Sequence, residues 1–168
     1  MPQGGGVEGV ELARVVEVHA GRLIFVKASD RSTTIFAVPV PSRKGSALLL
    51  FAARSGSGGR RWWSPTLALA GAPLRAFVES LLKIAERGGS AAYRSRKSGL
   101  FVAVRRRGSG YVLLLGGAGG VFASLRLSRG DLRKAAELLE GVTRAAPNEL
   151  PLPLTWKVKE AVFGPHAS

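Results

Sequence analysis

Catalysis needs particular side chains, and this sequence is short of most of them. It has no cysteine and only two histidines, His19 and His166, so thiolate nucleophiles, Cys-ligated zinc and imidazole metal clusters lack their donors. The only aspartates, Asp30 and Asp131, fall in a turn and at a helix start, and no carboxylate pair, metal set or catalytic triad has candidates. The glycines of Gly116-Gly117-Ala118-Gly119-Gly120 lack the spacing of a phosphate loop and read as a hairpin turn. The expectation is a protein that is not an enzyme and needs no cofactor or metal.

What the sequence has in abundance is arginine. Lys+Arg number 25 against 11 Asp+Glu, a formal charge of +14, and 18 of the 25 are Arg. Guanidinium groups hydrogen-bond phosphate at two points and stack on rings, so a polyanion, nucleic acid first of all, is the expected partner. The charge is also segregated. No acid occurs between Asp30 and Glu79 or between Glu86 and Asp131, whereas residues 87–130 hold nine basic side chains.

The elements that must position these residues follow from periodicity. Shifting the chain by 58 residues lays Leu67, Leu69, Leu74, Arg75, Glu79 and Leu81 on Leu125, Leu127, Leu132, Arg133, Glu137 and Leu139, which is a strand end running into an amphipathic helix, twice. Helices are predicted over about 73–87, ended by Gly88-Gly89, and about 129–144, opened by Ser128 and Asp131 as a capping box. Four β segments precede each helix: 22–28, 32–40, 46–54 and 61–69, then 91–97, 99–107, 110–116 and 119–127, with an added strand near 11–18. The predicted fold class is α+β, two repeats of four antiparallel strands plus one helix, with the helices on one side of the sheets and the other face of each sheet open. The expected division is a flexible N-terminus (1–9), a first repeat (10–89), a second repeat (90–146) packed with it as one compact domain, and an extended Pro-rich arm (147–168) bearing Trp156, Lys157 and Lys159.

Strand alternation then assigns faces. Leu100, Val102 and Val104 point to the core, and Phe101, Arg105 and Arg107 point away. By the same parity Val121, Ala123, Leu125 and Leu127 face inward, leaving Phe122, Ser124 and Arg126 outside; Trp63 faces inward with Leu67 and Leu69, and Trp62 outward beside Arg60 and Arg61. Exposed rings among arginines suit single strands, whose free bases stack while phosphates meet guanidinium groups. The candidate nucleic-acid-binding residues are Arg43, Lys44, Arg60, Arg61, Trp62, Arg94, Arg96, Lys97, Phe101, Arg105, Arg107, Tyr111, Phe122 and Arg126.

The stretch Gly45–Phe51, the Gly/Ser loop after it, and Arg60-Arg61-Trp62-Trp63 running through Leu67-Ala68-Leu69 into the Leu74 helix resemble the corresponding stretch of the Whirly proteins. Arg43-Lys44-Gly45-Ser46-Ala47-Leu48 is a loose, displaced echo of the Whirly lysine-rich motif. The repeated plan is similar to PUR-alpha repeats and to the coactivator positive cofactor four, and small archaeal single-strand binders of the ThermoDBP group are a further resemblance. The resemblance implies single-stranded DNA or RNA binding over sheet surfaces, by a homo-oligomer (dimer or tetramer). The alternatives are a chromatin-type binder of double-stranded DNA or RNA, and an assembly subunit of a ribonucleoprotein. The start lacks the basic region and apolar stretch of a signal peptide, so the expected location is the cytoplasm, with no membrane partner, and the expected nucleic-acid binding adds association with the nucleoid. One Asn and one Gln in the whole chain suit a thermophile.

Overall fold

The computed structural model describes residues 11–56, 58, 61–145, 148–150 and 155–164. The first half folds into β1 (Arg14–Ala20), β2 (Leu23–Ser29), β3 (Thr33–Ser42), β4 (Gly45–Ser55), β5 (Arg61–Trp63) and β6 (Leu67–Ala70), followed by α1 (Gly71–Arg87). The second half gives β7 (Ser90–Arg94), β8 (Phe101–Arg107), β9 (Gly110–Gly117), β10 (Gly120–Leu127) and α2 (Arg129–Ala145), and α3 (Thr155–Phe163) follows. The chain is α+β, with one antiparallel sheet ordered β1-β2-β3-β4-β5, β6 also pairing with β4, and a second ordered β10-β9-β8-β7.

The inner faces of both sheets close on α1 and α2 in one apolar core. Leu67 and Leu125, Leu69 and Leu127, Leu74 and Leu132, and Leu81 and Leu139, the pairs matched by the 58-residue shift, are all buried there. The start of α2 and the end of α1 are satisfied locally, whereas the start of α1, at Ala70, has no side-chain cap. At the start of α2 the Asp131 N–H donates to the Ser128 hydroxyl oxygen (3.0 Å) and that hydroxyl donates to the Asp131 carboxylate (3.1 Å), so Ser128 caps the helix, but the expected capping box is not closed: the Asp131 carboxylate accepts from the Val15 N–H on β1 and not from the Ser128 N–H. At the end of α1 the Gly88 N–H donates to the Ile84 carbonyl, and Arg129 donates to the carbonyls of Ala85 (2.6 Å) and Glu86.

Two expectations are corrected. The segment predicted as one strand over 61–69 is two, because Pro65 has no N–H to give the ladder. Ala53 is opposite Trp63 but Leu50 is opposite Leu67, so an extra residue is accommodated at Ser64-Pro65-Thr66. Ser64 bridges the break: its N–H donates to the Ala52 carbonyl (2.8 Å) and its hydroxyl oxygen accepts from the Ala52 N–H (2.9 Å), a role a strand carbonyl would otherwise fill. The freed Ser64 carbonyl accepts from the Lys159 ammonium on α3 (2.6 Å).

The second correction concerns the arm. Residues 155–163 are helical, and α3 lies on the outer face of the first sheet, where Val158, Val162 and Phe163 pack on Phe25, Phe36, Val38, Val40, Leu49 and Phe51. That face is a second core, not an open surface. Apolar alternation on both sides of β3 and β4 (Ile35 and Ala37 inward, Phe36 and Val38 outward) is the pattern of a strand covered twice.

Candidate nucleic-acid interface

The open sheet face is the outer face of β7–β10. Pairing registers arrange it in rows that run across the four strands. One row is Arg94, Phe101, Gly116 and Val121; the next is Ala92, Ala103, Leu114 and Ser124; the third is Ser90, Arg105, Val112 and Arg126, and Arg107 lies beyond, opposite Gly110. Arginines therefore stand at both ends of a lane of small and apolar side chains, in which Ala103 and Val112 are buried.

Phe101 is the ring of this face. It lies over Gly116, where a Cβ would come within 2.8 Å of the ring carbons, so the glycine is what lets the ring lie down on the sheet. The Arg94 guanidinium sits 4.8 Å from the ring centroid and donates to the Gly99 carbonyl (2.9 Å), which fixes both partners. Arg96 and Lys97 are exposed in the turn that joins β7 to β8, adjoining the same end. Arg105 and Arg107 are exposed and Arg126 half-buried, all on this face as parity required.

The remaining candidates are placed elsewhere. Tyr111 belongs to the inner face: it is 5% exposed and its hydroxyl donates to the Ile84 carbonyl (3.0 Å), so it is a core residue and no stacking platform. A register shift between Val121 and Ala123 exchanges the faces of the first two residues of that strand pattern; Phe122 packs against the core and Val121 takes the outside, 53% exposed. The break at Ser64-Pro65-Thr66 does the same to the tryptophans. Trp62 pairs with Arg54 and packs on the main core, with the Arg54 guanidinium 4.3 Å above its ring, whereas Trp63 faces the core beneath α3, edge-on to Phe163. Ser64, expected outside with Trp62, is buried.

Arg61 is a tether for α3, donating to the Phe163 carbonyl (3.0 Å) with its guanidinium 5.5 Å from the Phe163 ring. Arg43 and Lys44 are exposed in the β3–β4 turn, where Lys44 lines a groove with Gly71 and Arg75 of α1 and with Arg144 of α2, away from the arginine rows. Arg60 lies outside the described residues. Sequence reading missed Arg54, whose only signal was its position opposite an expected β5, and the α3 anchor Lys159, whose burial pushes its ammonium pKa down from the usual 10.5.

Among the described residues there is no cluster of His, Asp or Glu that could hold a metal ion, and no helix long and apolar enough to cross a membrane. No family model matches the chain, and no curated protein matches it. Among solved structures, the crystal structure of WHY1 from Arabidopsis thaliana is similar over 95% of this chain and 98% of that one, at 13% sequence identity and a TM-score of 0.42.

Proposed function

We propose that the protein binds single-stranded nucleic acid, DNA in the first place, across the outer face of β7–β10, and acts by binding rather than by catalysis. The observation that carries this reading is the Arg94-braced Phe101 ring set at one end of a lane whose other end holds Arg105, Arg107 and Arg126, on a stretch of chain, residues 87–130, without a single acid. Phosphates meet the arginines at the two ends, and a base freed from pairing stacks on the Arg94 guanidinium that lies over Phe101. A duplex hides its base faces and leaves that plane without a partner. Association into a homo-oligomer and a place among single strands at the nucleoid belong to the same reading.

Competition among single-stranded DNA, single-stranded RNA and duplex at one stated salt concentration tests it. Single strands displacing a labelled oligonucleotide at well below the duplex concentration is the expected result. Duplex competing equally well, or no binding by any of the three, overturns it.

A further inference from the structure

The outer faces of the two sheets are joined by one strand. Leu12 pairs in parallel with Arg126 at the edge of the second sheet, and the Ala13 N–H donates to the Arg126 carbonyl (2.7 Å). Two residues on, Arg14 pairs with Ser29 in the first sheet. Alternation through this segment is unbroken: Ala13 and Val15 are buried in the core between the sheets, while Leu12, Arg14 and Val16 point out. The row Arg105, Val112, Arg126 therefore continues through Leu12 to Arg14, Ser29 and Thr34, with Lys27 one row along, opposite Val16.

Two of the few exposed large apolar side chains, Leu12 (42%) and Val16 (37%), sit on this seam with Arg14 between them. Acids are present nearby, and the chain's own donors hold them. Glu11 pairs with Arg31 (2.9 Å), Asp30 accepts from the N–H groups of Ser32 and Thr33, and Asp131 accepts from the Val15 N–H and the Ser128 hydroxyl. Arg14 also reaches Asp131 (3.5 Å), yet its side chain stays 79% exposed, and Lys27 makes no ion pair among the described residues.

We infer that the binding track does not stop at β10 but crosses this seam onto the uncovered margin of the first sheet, with Leu12 and Val16 as apolar contacts and Arg14 and Lys27 as phosphate contacts. The inference rests on the proposed single-strand binding. At about 4.8 Å between strands, β7 to β10 alone offers a path of about 14 Å, and the path continued to Thr34 on β3 is about 29 Å. With stacked nucleotides about 3.4 Å apart, that is the difference between about four and about eight nucleotides.

The test is the salt slope of binding to dT4 and dT12, because extra registers on the longer oligonucleotide raise its affinity but not its slope. Each phosphate neutralised on a single strand adds about −0.7 to the slope of log affinity on log salt. The expected result is a slope on dT12 steeper than that on dT4 by the worth of at least two phosphates, with Arg14→Gln/Lys27→Gln removing that excess and leaving dT4 unchanged. Leu12→Ser, which alters no charge, is expected to weaken dT12 several-fold at unchanged slope. Equal slopes on the two lengths, or a double variant that leaves the dT12 slope intact, overturn the extended track while single-strand binding stands. Failure of both oligonucleotides to bind overturns both.

Discussion

At the scale of single residues, Phe101 and Trp62 exchange the importance that composition assigns them. Phe101 lies flat on glycine and supports the Arg94 guanidinium on which the base stacks, so Phe101→Ala, which removes the support of that plane, is expected to cost roughly 1 to 3 kcal/mol of single-strand affinity, the usual worth of a stacked base, with little change in melting temperature. Trp62 is packed on the core with Arg54 over its exposed side. Trp62→Ala is therefore expected to lower folding stability, by about 3 kcal/mol or less since the ring is only partly buried, and to leave affinity nearly unchanged. Thermal melts and oligonucleotide titrations on the two variants read both quantities. A third residue makes a quieter test. The Thr66 hydroxyl is buried without a hydrogen-bond partner among the described residues, so Thr66→Val, of the same shape, is expected to leave stability unchanged or raise it by about 1 kcal/mol in a denaturant titration.

At the scale of elements, both helices that follow strands, the two hairpin series and the Ser128 cap were legible in the sequence, because each has a local cause: an apolar stripe, a terminating glycine, a serine three residues before a first-turn amide that needs an acceptor. Of the interface, Phe101, Arg105, Arg107 and Arg126 fell on the face that strict alternation assigns, and Arg94, given no face by the sequence, joins them by its pairing with Phe101. What was not legible was how alternation breaks. A one-residue shift inverts every side chain beyond it: Pro65 marks a break without saying which face each tryptophan takes, and the shift at Val121/Ala123 has no signature that sets its position in advance. Nor did the proline-rich composition reveal α3, whose docking depends on tertiary contacts. Its anchor predicts a pH dependence. With the Lys159 pKa lowered by burial, the native state holds that proton less tightly than the unfolded chain. The resulting penalty is full below the depressed native value and is relieved as pH rises from there toward 10.5, so stability should gain from this residue across that alkaline window. Lys159→Met removes the ionisable group, and the stability difference between wild type and variant, followed against pH, should change in that direction and no other.

At the scale of the whole molecule, the segregation of charge matters more than its total. Five of the acids, Glu79, Glu86, Asp131, Glu137 and Glu140, sit on α1 and α2, and the open face of β7–β10 carries none. Binding should accordingly weaken steeply with salt, and Arg105→Ala/Arg107→Ala should make the slope shallower by about 0.7 for each phosphate no longer neutralised, whatever the base sequence. The strand that unites the two sheets has a further consequence, for the order in which the protein can be assembled. The Val15 N–H finds its acceptor on Asp131, 116 residues later, and Leu12 waits for Arg126. During synthesis the hairpins of the first half can close as they emerge, but the edge of β1 stays unfilled until nearly the last of the second half has left the ribosome. Non-local closure of this kind is slow compared with hairpin formation. In refolding followed by hydrogen exchange, the amides of β3 and β4 should become protected before those of Ala13 and Val15, and a nascent chain cut before Arg126 should leave the latter two open.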